Sequence, residues 1–137
     1  MCAAVVLAVV APPGSAASNW IVHSTTTGAE AKASVTPAAP TSPAAACVAS
    51  TQRLITVTWV AVSHATSYTV YKATAASSGP YSSTATGVTT TAWTSSTLAA
   101  GNYWFEIAAF QGTHWVSTNS AATSEITISL TAPNCAQ

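Results

Sequence analysis

There is no aspartate anywhere in this 137-residue chain, and charge of either sign is scarce: three Lys or Arg and three Glu, 4% of residues in all. Typical soluble proteins carry about 25%. Each scarcity excludes something. Without Asp there is no Ser-His-Asp triad, and a Glu version would have to draw on Glu30, Glu106 or Glu125, none with a His at a suggestive spacing. A net charge of zero provides no basic stripe to neutralise phosphates, which excludes nucleic acid as a natural partner and removes any steering of charged substrates. With three Cys and six Gly there is no Cys-x-x-Cys pair, phosphate loop or glycine-rich nucleotide turn. The three histidines, His23, His64 and His114, have no i, i+2 or i, i+4 partner for a metal. No enzyme activity, cofactor, nucleotide or metal is expected.

What the chain does have is apolar and hydroxyl-bearing. Hydrophobic residues make up 49%, enough for a buried core, and Ser and Thr take the places that Lys and Glu usually fill. β-Branched Thr suits strands better than helices. Residues 2–11, CAAVVLAVVA, form an apolar run, followed by Pro12-Pro13-Gly14 and small residues to Ala17. This is the order of a secretory signal, although no Lys or Arg precedes the run. Segment 1–17 is therefore read as signal-like, either cleaved, truncated at its start, or left as an anchor fragment. It is too short to span a bilayer, which takes roughly 20 apolar residues, so the membrane is a partner only through an uncleaved N-terminus. Cys2 lacks the preceding apolar residues of a lipid-modified cysteine. Residues 18–43 read as a flexible tether: 31–46 is AKASVTPAAPTSPAAA, a composition that favours extended, solvated chain.

From about residue 44 the hydropathy alternates with period two. Ile55, Val57 and Trp59 fall on one face, as do Tyr68 and Val70, then Tyr103, Phe105, Ile107 and Ala109, then Ile126, Ile128 and Leu130. Turn residues separate these runs at Ser78-Gly-Pro, Gly87, Ala100-Gly-Asn and Gln111-Gly-Thr. No segment carries a sustained helical stripe. The fold class expected is all-β, a sandwich or barrel.

Four motifs follow in order: Thr-Val-Thr-Trp ending at Trp59, Ser-Tyr-Thr-Val-Tyr-Lys from Ser67, Trp93 five residues before Leu98, and Leu98-Ala-Ala-Gly-Asn-Tyr103. In this order they resemble a fibronectin type III domain over 44–133. The last is similar to the family's Leu-x-Pro-Gly-x-x-Tyr, with Ala100 in place of Pro and a spacing one residue shorter. The resemblance implies a seven-stranded antiparallel β-sandwich of the fibronectin type III / immunoglobulin-like kind. It implies Trp59 and Trp93 as central core residues, and Tyr103 as a tyrosine corner whose hydroxyl bonds backbone near Leu98. It also implies that Cys47, in the first strand, and Cys135, just after the last, meet at one end and form a disulfide, as suits an exported domain.

If Tyr103, Phe105 and Ile107 point inward, then Trp104, Glu106, Ala108 and Phe110 point outward. The same parity turns Thr69 and Tyr71 outward, and the family fold pairs these strands. Trp104, Tyr71 and Phe110, with Trp115 in the neighbouring loop, are thus the candidate ligand-contact residues. Glu106 and Glu125 are expected to be solvated surface. The function expected is a secreted, extracellular or cell-surface non-catalytic module that binds a carbohydrate or an envelope or extracellular protein through this aromatic strip. The alternatives are a passive structural spacer of the cell envelope, a strip covered by the tail with Trp20 and Ile21, or scattered aromatics without a role.

Overall fold

The computed structural model of the chain describes residues 36–137. The signal-like segment 1–17 and residues 18–35 of the expected tether lie outside the described residues. The described chain is all-β, with nine strands: β1 (Ala44–Cys47), β2 (Ile55–Thr58), β3 (Ser67–Ala73), β4 (Ser82–Val88), β5 (Ala92–Thr94), β6 (Gly101–Gln111), β7 (Trp115–Val116), β8 (Ile126–Ile128) and β9 (Cys135–Ala136). They form two antiparallel sheets, one ordered β1-β2-β5 and the other β4-β3-β6-β8-β9, with β7 also paired to β6. The two strands beyond the expected seven, β7 and β9, are two residues each. Among the described residues no helix is long and apolar enough to cross a membrane.

The core forms because period-two runs from both sheets present their apolar faces to one another. Ile55, Val57, Val70, Phe105, Ile107, Ala109 and Ile126 are fully buried, and Trp59, Tyr68, Tyr103 and Ile128 nearly so. Each large aliphatic or aromatic side chain removed from water in this way contributes roughly 1.5–3 kcal/mol. Trp59 sits edge-on to Tyr68, ring centroids 5.3 Å apart, and the Tyr68 hydroxyl accepts a bond from the Val62 N–H. The hydroxyl of Tyr103 donates to the Ala99 carbonyl at 2.9 Å, the corner expected from Leu98-Ala-Ala-Gly-Asn-Tyr103.

Three details differ from the sequence expectation. Leu130 is not a core residue: β8 ends at Ile128, the chain bends back through a loop closed by Ser129 N–H to the Asn134 carbonyl, and Leu130 is 72% exposed. Trp93 is half-buried, tilted over Phe105 at 6.1 Å. It lies on the three-residue edge strand β5, which has no neighbour on its far side. The domain also begins earlier than residue 44. Pro37 and Pro40 are buried, and the Val60 N–H donates to the Thr41 carbonyl. Residues 36–43, expected in the tether, are therefore part of the compact unit Thr36–Gln137.

A disulfide joins Cys47 on β1 to Cys135 on β9, with Cα atoms 5.8 Å apart. It links an edge strand of the smaller sheet to an edge strand of the larger. Cys135 is not simply beyond the last strand, as expected, but in β9, paired with Ile128.

Between β7 and β8 the chain runs beside the middle of β6 without being a strand, and its hydroxyls do half of the pairing. Ser117, Ser120 and Thr123 donate their backbone N–H to the carbonyls of Ala109, Ile107 and Phe105. In return the Ala109, Ile107 and Phe105 N–H groups donate to the hydroxyls of Ser117, Ser120 and Thr123 at 2.8–3.1 Å. Two residues of β6 advance about 6.8 Å, and the facing segment uses three residues for the same step. Ser95 does likewise against Ile55 on the smaller sheet. All four hydroxyl residues are buried. Ser120→Ala leaves the buried Ile107 N–H without an acceptor and should cost about 1–3 kcal/mol. The exposed Thr118→Ala should stay within about 0.5 kcal/mol. Urea denaturation of the two variants, with hydrogen exchange at the Ile107 amide, checks this; equal losses would mean that the hydroxyl carries no such bond.

Candidate functional site

The outer face of the larger sheet is positioned by the register of β3 on β6. Ala73 lies opposite Trp104, Tyr71 opposite Glu106, Thr69 opposite Ala108 and Ser67 opposite Phe110. Directly opposed residues share a face, with Cβ atoms about 4.5–5.5 Å apart. Trp104, Tyr71 and Phe110 are therefore on one face, as expected, and all three are half-buried. β4 adds Ser83 beside Tyr71, and β7 adds Val116 beside Phe110.

Trp115 does not join this strip. It pairs with Gln111, and in an alternating strand Gln111 faces opposite to Phe110. Trp115, expected in the neighbouring loop, is in β7, and the half-exposed Val116 is the residue of β7 that lies beside Phe110. Thr69 and Ala108 face outward but are 5% and 1% exposed, and Ala73 is 1% exposed. Neither Ala73 nor Ala108 belongs to the core cluster between the sheets, so the outer face has a buried floor of its own. These short side chains lie in register among the larger Tyr71, Trp104, Glu106 and Phe110.

Glu106 is at the centre of the face and is half-buried rather than freely solvated. Its Oε2 accepts a bond from the Asn119 side-chain amide at 2.8 Å. Asn119 is placed there by the three-residue step of the segment between Ser117 and Ser120. Tyr81, just before β4, folds back so that its hydroxyl donates to the Ser77 carbonyl at 2.8 Å. Its ring lies against Gly79, whose φ of +91° and close approach to the ring suit only glycine. Burial, and secondarily the Glu106 carboxylate, raise the Tyr81 hydroxyl above its ordinary value near 10. Glu125 is exposed and immediately precedes β8. The lysine of β3, Lys72, faces away from Glu106, with its ammonium 5.8 Å from the centre of the Tyr103 ring.

Sequence reasoning missed Tyr81, Asn119 and Val116, and undervalued Glu106. The sequence signal for Asn119 was the triplet spacing Ser117-x-x-Ser120-x-x-Thr123, which fixes the position of everything between. Among the described residues, no group of three or more His, Cys, Asp or Glu is arranged to hold a metal ion. The arrangement can stack flat apolar surfaces and accept hydrogen bonds.

Comparison with solved structures agrees with the architecture. An Fn3-like protein from Clostridium thermocellum is 32% identical, with a TM-score of 0.59 over 65% of this chain and 91% of that one. The fibronectin type III domain of human fibronectin type III domain containing protein 3 is 19% identical, covering 72% and 91% of the two chains, TM-score 0.52. A titin structure, the kinase and its flanking domains, is 15% identical over 67% of this chain and 17% of that one, TM-score 0.57. These two show likeness of fold. No family model and no curated protein matches the chain. The two-sheet sandwich with its tyrosine corner is of the fibronectin type III class. On the identity and coverage shared with the clostridial protein, the chain belongs to the fibronectin type III family.

Proposed function

We propose that this domain is a non-catalytic interaction module, secreted or displayed at the cell surface, that engages a glycan or an extracellular protein through the outer face of its larger sheet. The observation that carries this reading is the placement of Trp104, Tyr71 and Phe110 on one flat face around Glu106. Flat faces with partly exposed aromatics are a common form of recognition surface. The Cys47–Cys135 disulfide supports an oxidising compartment. The competing reading, a passive spacer, draws on the multidomain chains among the similar structures, such as the titin segment.

The test is retention of the full chain on insoluble polysaccharides, cell-wall preparations and extracellular protein fractions. Wild type is run beside a Trp104→Ala/Tyr71→Ala/Phe110→Ala triple variant. A single stacking aromatic contributes about 1 kcal/mol, so each replacement should weaken retention several-fold and the triple variant should nearly abolish it. A wild-type chain retained by none of these supports the spacer. Equal retention of both proteins places the binding site elsewhere.

A further inference from the structure

The centre of the outer face is better furnished for one class of partner than for another. Across the sheet, Ser83, Tyr71, Glu106 and Asn119 form a row that runs hydroxyl, phenol, carboxylate, amide. Trp104 flanks the row on one side, and the small floor residues Thr69 and Ala108 flank it on the other. The charged side chain that β3 and β6 place on this face is Glu106, with Lys72 turned to the opposite side. A carboxylate accepts hydrogen bonds and cannot donate them. Asn119 uses one donor on Glu106, which keeps the second oxygen of that carboxylate available for a ligand.

Building on the binding reading above, we propose that Glu106 and Asn119, framed by Tyr71 and Trp104, form a subsite for an uncharged polysaccharide, the aromatics stacking on sugar rings and the carboxylate accepting bonds from vicinal hydroxyls. The observations favour this partner over a protein for three reasons. The partner must offer donors to Glu106 without bringing negative charge, since desolvating a second anion beside a half-buried carboxylate is costly. It must offer flat faces to the half-buried rings of Trp104, Tyr71 and Phe110, which share one face of the sheet. It must also be extended: six residues of β6 separate those two aromatics, about 20 Å at strand rise, which suits a linear chain laid along the strand. An anionic polysaccharide or an acidic peptide meets repulsion at the same spot.

The experiment uses the full oxidised chain and soluble probes: neutral gluco-, xylo- and manno-oligosaccharides, with polygalacturonate as the anionic arm. Binding is followed by NMR of the Asn119 side-chain amide and the Trp104 indole N–H, and by calorimetry. Neutral oligosaccharides from at least one of these series should shift both signals, and polygalacturonate should shift neither. Glu106→Gln keeps shape and the Asn119 contact, and should weaken binding on the order of tenfold, the worth of a hydrogen bond to a charged acceptor. Asn119→Ala should weaken it several-fold, and both variants should retain the wild-type melting temperature. Three results overturn the assignment: no neutral probe moving those signals, polygalacturonate binding as well as the neutral sugars, or Glu106→Gln binding unchanged. If sugars fail while an extracellular protein is retained by wild type and lost by the triple aromatic variant, the binding face stands and the sugar assignment falls.

Discussion

Replacing Trp59 with alanine is expected to cost about 3–5 kcal/mol, the range for emptying a large aromatic site in a packed core. Trp59 is 5% exposed and stands edge-on to Tyr68 across the two sheets. Its loss opens a cavity and withdraws the support that holds Tyr68 against the Val62 N–H. Small domains have only about 5–15 kcal/mol of stability in total, so the variant should be close to unfolding at moderate temperature. Trp59→Phe should cost much less, because the indole N–H has no hydrogen-bond partner among the described residues and only ring volume is given up. Trp104→Ala, half-exposed on the outer face, should lie within about 1 kcal/mol of wild type. Chemical denaturation of the three variants settles the order. Equal losses at Trp59 and Trp104 would mean that the faces are exchanged, as a one-residue slip in register would do.

Removing the disulfide should be at least as severe. Cys47 and Cys135 are 88 positions apart, and closing a loop of that length is worth about 4–5 kcal/mol in the chain-entropy description. The bond also ties the edge strands β1 and β9 together, beside the two-residue pairing of β9 with β8. For a domain of about 100 residues such a change corresponds to a fall in melting temperature on the order of 20 °C. A Cys47→Ala/Cys135→Ala variant tests this without reducing agent. Because the unconstrained denatured chain is more expanded, its denaturant m-value should also rise. A loss below about 1 kcal/mol would show that the strand contacts close the loop without the bond.

The parts of this fold that were legible in the sequence are those governed by period two. In Tyr103 to Ala109 every inward position that period two named is buried. The same logic failed where the chain stops being a strand. Leu130 continued the alternation of Ile126 and Ile128 on paper, but parity has no meaning once the backbone bends into the loop that closes at Asn134. Trp115 was grouped with the strip from its place in the neighbouring loop, and closeness in sequence does not fix a face: pairing with Gln111 puts it on the opposite face from Phe110. Thr69 and Ala108 were correctly turned outward, yet their burial depends on the size of neighbours brought together only by the β3–β6 register. Asn119 was hidden because a three-residue step is invisible to a reading that looks for steps of two.

That unequal step has a further effect on how molecules of this protein meet. A bare strand rim presents alternating donors and acceptors that any other extended chain can copy, which is how sheets grow from one molecule into the next. Along the middle of β6 the copying stops with the segment from Ser117 to Thr123. Its residues match β6 three to two, and the carbonyls of Thr118 and Ala121 are already taken by the hydroxyls of Ser117 and Ser120. The rim left behind lacks the two-residue spacing that another strand would copy, and two of its carbonyls are already bonded. In a chain with almost no charge to keep its copies apart, three hydroxyl side chains thus take this one stretch of edge, beside β6, out of strand register, while β4 and β5 remain ordinary strand edges.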